Sequence, residues 1–298
     1  MKETCGFLLT WQWQDTPQGL SLRFWISTHH GPLLIEQTDQ EGVFFVENKF
    51  FQQAILRVKS LVKHTRQLTL KSFSQEAVSA FYFSSQHNLK RAATLLQESG
   101  IPPLEADVRT VDRYLMERFI TGAITVSSNI DTQPDNFLFA QNCKLSSCEY
   151  SPQLKVVSFD IETNYLDNSL LSIAVYNDTT ELVFIVGLSS EVNCLSFIDE
   201  RSLLVAFIHW IQEYDPDLLI GWNCINFDLR FLHNACLRLG LKFNIGRNNE
   251  AIEWRSSSNN NSTNKGSEHY FVLVPGRAIL DGIDTLKSAT FSFESYAL

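Results

Sequence analysis

Asp160 and Glu162 stand two residues apart at the end of the run Lys155-Val-Val-Ser-Phe-Asp-Ile-Glu-Thr163. Side chains alternate along a strand, so the two acids share one face while Phe159 and Ile161 point to the other, which is free to be core. Like charges held this close repel, and a hard cation such as Mg²⁺, which prefers oxygen ligands, relieves the repulsion. Alone, a D-x-E is more often a loop start with two solvated acids. A second segment changes that balance. Asp217-Leu-Leu-Ile-Gly221-Trp-Asn223-Cys-Ile-Asn-Phe227-Asp228-Leu-Arg-Phe231 runs from an apolar strand through a glycine turn to an acid at a helix start. Asp228 there has its own plain reading as an N-cap favoured by the helix dipole. Taken together, Asp160, Glu162 and Asp228 make a trio able to hold two cations about 3.5–4 Å apart, one acidifying a water and the other stabilising the leaving oxygen of a phosphodiester.

The elements that must position these acids follow from periodicity. From Leu154 onward three strands are expected in succession, 154–161, 170–176 and 181–187. A helix over 199–214 then buries Leu203, Leu204, Phe207, Trp210 and Ile211 on one stripe. A strand over 217–222 and a helix over 228–239, stopped by Gly240, complete the set. Strand, strand, strand, helix, strand, helix fits a mixed sheet flanked by helices and is the order of a ribonuclease-H-like nuclease domain. The polar run 255–267 has too little apolar surface to pack and reads as a mobile loop between strand-like segments.

The chain before this point reads differently. Residues 6–13 and 20–27 flank the turn Thr16-Pro-Gln-Gly19 and form a hairpin; further strands are expected at 42–46, 67–71 and 78–84. Helices are expected over 52–63, over 89–99 with Asn88 as N-cap, and over 110–119 with Val111, Tyr114, Leu115 and Phe119 on its inner stripe. The fold class is therefore α/β in the mixed α+β sense, with an N-terminal strand and helix domain over 1–150 and a second domain over 151–298.

Composition bounds the class of protein. With 298 residues, 44% hydrophobic and 19% charged, the chain is long enough for two cored domains of globular type. No apolar stretch has transmembrane length and the N-terminus lacks the blocks of a signal peptide, so no membrane association and a cytoplasmic location are expected. Six scattered cysteines without a C-x-x-C pair are expected to be reduced thiols. A net charge of −9 argues against a surface that coats nucleic acid throughout. Locally, however, Lys49, Arg57, Lys59, Lys63, Arg66 and Lys71 fall in a window without acids, either a phosphate-following face or a solvated one.

With these residues in view, the chain resembles the family B DNA polymerases. Phe159-Asp-Ile-Glu-Thr163 is similar to the first motif of their proofreading exonuclease domain, and Asn223-Cys-Ile-Asn-Phe-Asp228 to the second. The likeness extends to Trp13–Gly19, Glu105–Arg109, Arg113–Thr121 and Gly276–Ser288. It implies a DNA-directed DNA polymerase with 3′→5′ exonuclease activity, acting on a primer-template and on a single-stranded 3′ end. It also leaves room for a sliding clamp reached through a C-terminal part outside this sequence. By the resemblance, two Mg²⁺ or Mn²⁺ ions occupy the site: Asp160 bridges both, Glu162 ligates the one that activates water, and Asp228 holds the other. Asn223 hydrogen-bonds and Phe227 packs against the terminal nucleotides. Asp281, before a helix-like segment, reads as an N-cap or turn acid rather than a fourth ligand.

The family's third motif, a Tyr followed four residues later by Asp, is not found. None of the eight tyrosines has Asp at that spacing, and no histidine has Asp five residues on. The sequence is accordingly expected to be an N-terminal fragment, without palm, fingers and thumb, that is inactive alone. Two rivals stay in play: a stand-alone ribonuclease-H-like exonuclease, which would need that motif, and a non-catalytic nucleic-acid-binding scaffold, which has no use for three intact acids.

Overall fold

The computed structural model describes residues 2–133, 137–257, 269–289 and 293–296, arranged as two compact units that divide at Pro152/Gln153. The first unit holds two sheets. Strands β1 (Lys2–Thr16), β2 (Gly19–Thr28) and β3 (Gly31–Gln40) form an antiparallel meander, and β4 (Gly42–Glu47) leads into helix α1 (Phe51–Val58). Next come β5 (His64–Lys71), β6 (Ala77–Phe83), helices α2 (Gln86–Glu98) and α3 (Thr110–Met116), and strands β7 (Ala123–Ser128), β8 (Asp131–Thr132), β9 (Leu138–Gln141) and β10 (Lys144–Ser147). The strand orders are β10-β7-β1-β2-β3-β9-β8 and β4-β6-β5. Each sheet has its own core, one around Leu22, Phe24, Ile35 and Ile124 and one where Phe44, Phe81 and Phe83 meet Ala54 and Leu96 of the helices.

Local chemistry corrects several expected boundaries in this unit. Helix α2 starts earlier than expected because Ser85, not Asn88, is the N-cap; its hydroxyl accepts the Asn88 amide at 3.1 Å. Asp15 accepts the next two free amides, of Gln86 and His87, at 2.8 and 2.9 Å. Helix α1 ends at Val58, short of the expected Lys63. Helix α3 ends at Met116, and Phe119 takes a left-handed φ of 54° with its ring in solvent instead of on the inner stripe.

The second unit is built on a six-stranded mixed sheet. Its elements are β11 (Val156–Thr163), β12 (Leu170–Tyr176), β13 (Glu181–Val186), β14 (Cys194–Phe197), α4 (Glu200–Tyr214), β15 (Leu218–Gly221) and α5 (Arg230–Arg238). A hairpin of β16 (Glu253–Ser257) and β17 (His269–Leu273) follows, then β18 (Ala278–Asp281) and α6 (Gly282–Ser288). The sheet order is β14-β13-β12-β11-β15-β18, with β11–β12 and β12–β13 antiparallel and the other pairs parallel. Edge strands β14 and β18 were not anticipated as sheet members; at four residues each, they are too short for alternation to register. Val157, Phe159, Ile161, Ile173 and Phe184 pack with Leu203, Leu204, Phe207 and Leu232 in one core. The greater part of the polar run 255–267 lies outside the described residues.

Opposite charges lock the starts of the strands in this unit. Asp215 ends α4 at φ 53°, and its carboxylate receives Arg247 Nε at 2.8 Å and Arg277 Nη1 at 2.7 Å. Arg277, fully buried, also donates to the carbonyls of Pro216 and Ile245, and Arg247 reaches Asp217 at 2.8 Å. Asp217 in turn accepts the Lys155 amide at 3.0 Å, so β11, β15 and β18 begin in register. Buried charge is tolerated here because every ion has a counter-ion and hydrogen bonds.

Candidate active site

β11 is a central strand, and its alternation is as expected: Val157, Phe159 and Ile161 are buried while Asp160 and Glu162 are exposed on the other face. Asp160 lies opposite Ala174 of β12 and Glu162 opposite Ser172. Small neighbours leave the carboxylates unobstructed.

On its other side β11 is paired with β15 only as far as Ser158↔Ile220. β15 stops at Gly221, where a Cβ would come within 2.7 Å of Cys224 Cβ and 2.9 Å of the Phe159 carbonyl. Asn223 then turns the chain with φ 58°, and residues Ile225–Leu229 form a single π-helical turn before α5 begins at Arg230. Such turns widen a helix start and recur at functional sites. Here the turn reverses an expectation. Asp228 does not open a helix as its N-cap; it is 1% exposed, and its Oδ1 accepts the Ile161 amide at 3.1 Å, the amide between Asp160 and Glu162. The carboxylate thus replaces the ladder that β15 stops supplying. Burial, then the charge of Asp160, push Asp228 up to about 7; Asp281 adds to the rise, and its own amide and that of Ile161 oppose it.

Asp281 is committed elsewhere. Its two oxygens accept the amides of Asn223 at 3.1 Å and Ile225 at 2.9 Å, and Oδ1 also caps α6 through Ile283 at 2.9 Å. It is a turn and cap acid that holds the Asn223 loop. Sequence reasoning identified the cap but not the second duty, which depends on β18 pairing with β15 so that Gly221 lies opposite Asp281. Cys224, buried under this loop, has its thiol pushed up by burial and by Asp281 and Asp228, and is no nucleophile.

Asn223 is half-buried on the turn, and Phe227 is exposed with its ring 6.3 Å from that of Phe231. The same turn that carries Asp228 therefore carries both residues expected to meet a nucleotide. The donor set consists of carboxylate oxygens, as a hard divalent cation requires. Among the described residues, no group of three or more His, Cys, Asp or Glu side chains is arranged to hold a metal ion, and one oxygen of Asp228 is taken by the Ile161 amide.

Comparison with known proteins defines the class. Residues 103–298 match the description "DNA polymerase family B, exonuclease domain", and residues 6–41 match "DNA polymerase II, N-terminal". The chain belongs to DNA polymerase family B. It is 35% identical to DNA polymerase II of Escherichia coli over 98% of its own length and 37% of that protein. The DNA polymerase delta catalytic subunit of Plasmodium falciparum is 28% identical over 65% of the chain and 21% of that protein. The family B DNA polymerase of Pyrobaculum calidifontis shares the fold, with a TM-score of 0.74 and 17% identity over 96% of this chain and 37% of that one. The chain thus spans between about a fifth and somewhat over a third of the length of these relatives. No helix among the described residues is long and apolar enough to cross a membrane.

Proposed function

We propose that this chain carries the proofreading part of a DNA-directed DNA polymerase of the cytoplasm, and that its second unit hydrolyses the terminal phosphodiester of a single-stranded 3′ end. The observation that supports this most is the Asp228 carboxylate on the amide between Asp160 and Glu162, inside a turn that also bears Asn223 and Phe227. Asp160 and Glu162 would hold a cation from the exposed strand face, and Asp228, once ionised, would join them on a second. Two Mg²⁺ or Mn²⁺ ions, when bound, supply charge neutralisation of the phosphate and a water of lowered pKa. Asn223 would hydrogen-bond and Phe227 would pack against the terminal nucleotide. Nucleotidyl transfer on a primer-template, and any docking to a sliding clamp, belong in this reading to regions that the relatives have beyond the matched part.

Calorimetric titration with Mn²⁺ tests the site. Because the three carboxylates are not gathered around one point, binding is expected to be of millimolar affinity or weaker and to disappear in Asp160→Ala. Tight binding, or binding indifferent to that substitution, would contradict the assignment.

A further inference from the structure

Arg230 opens α5 two residues after Asp228, and its guanidinium lies over the Tyr270 ring, 3.5 Å from the centroid. It is half-buried, and it makes no hydrogen bond or ion pair among the described residues. A guanidinium has five N–H donors in a rigid fork, and none of the Arg230 nitrogens is a buried atom without a partner, so the fork is open to solvent and to a ligand.

The stack is braced from both sides. Asn226, Arg230 and His233 recur at i, i+4 and i+7 and form one stripe against the β16–β17 hairpin. Asn226 Oδ1 accepts the Tyr270 amide at 3.1 Å, and its Nδ2 lies 3.5 Å from His269 Nδ1. His233 stacks on Trp254 at 5.9 Å, and Trp254 meets Tyr270 edge-on at 6.4 Å. These contacts hold Tyr270, the ring on which the guanidinium lies. The exposed acids Asp160 and Glu162 would repel a polyanion entering the carboxylate site.

We propose that Arg230, stacked on Tyr270, contacts a backbone phosphate of the single DNA strand that enters the carboxylate site. The inference rests on the exonuclease reading above. A planar fork open to solvent suits a phosphate bidentately, and the aromatic platform beneath it lowers the ordering cost of a free arginine. The competing role is plain packing, in which the side chain only covers Tyr270.

Binding of a short fluorescein-labelled oligo(dT) to the 298-residue chain, followed by anisotropy across a salt series in Ca²⁺, separates the two. Wild type, Arg230→Met and Arg230→Lys are compared, with thermal melts to establish that each is folded; methionine keeps apolar cover on the ring. Loss of one phosphate contact lowers the slope of log K against log salt by about 0.7 for a single strand. Arg230→Met is expected to lose that slope and several-fold in affinity, and Arg230→Lys to keep the slope with a smaller loss of affinity. Slopes equal in all three proteins, with whatever change in melting, would overturn the phosphate contact and leave the exonuclease reading intact. Failure of the wild-type chain to bind oligo(dT) at all would overturn both.

Discussion

Asp228 shows how far a residue's chemistry depends on its placement. The sequence marked it as an acid at a helix start, where the dipole stabilises charge; in the fold it is buried against β11 and raised to about 7. The sign of the resulting pH dependence follows. Between its ordinary value near 3.8 and about 7, the folded chain holds a proton on this residue that the unfolded chain has released, so stability falls as pH rises through that window. At about 1.4 kcal/mol per unit, the limit is about 4 kcal/mol. Asp228→Asn carries no such proton. In EDTA, urea unfolding at pH 5 and pH 8 is expected to show wild type losing stability relative to the variant at the higher pH. A difference that does not change with pH would mean that Asp228 is ionised in the fold. Asp160 and Glu162 were more legible, because a strand's alternation fixes which face they share. Asp228 was not, since a π turn leaves no periodic signature in five residues. The basic window 49–71 was ambiguous in sequence for a related reason: Lys49 and Lys63 pair with Glu47 and Glu41, acids that stand just outside it.

At the scale of elements, the strand order around the site was largely readable, because β11, β12, β13, α4 and β15 each carry a clear apolar pattern. What escaped was the way β15 ends. Gly221 sits where the chain leaves the β11 ladder, and the room for Asp228 depends on that departure. An added methyl would press on Cys224 Cβ at 2.7 Å and on the Phe159 carbonyl at 2.9 Å, and the second contact is backbone that cannot swing aside. Gly221→Ala is therefore expected to cost about 1–3 kcal/mol by overpacking, measured by urea unfolding. It should also weaken Mn²⁺ binding, because the displaced strand is the one that holds Asp160. A variant as stable as wild type would show that the turn has slack that these distances deny. The Asp215–Arg247–Arg277 lock was equally invisible beforehand, since its members are adjacent only once β15 and β18 pair and residues 245–247 return beneath them.

For the whole molecule, the division into two units carries the last expectation. Each unit closes its own cores: the second gathers residues from β11 to Val274 in one cluster, and the clusters around Phe24 and Phe44 draw only on the first. A segment the size of 153–298 is within the range in which one core sustains a fold. The lock at Asp215, the cap at Asp281 and the Asp228–Ile161 hydrogen bond all lie inside it. Residues 153–298 produced alone are expected to unfold cooperatively, with a dispersed amide spectrum, and to reproduce the weak Mn²⁺ binding of the 298-residue chain. Among the described residues, limited proteolysis of that chain should cut near 148–153, where the backbone has no regular structure. If 153–298 is instead collapsed and without a cooperative transition, the first unit contributes to the stability of the second. The carboxylate site would then have to be studied only in the longer chain.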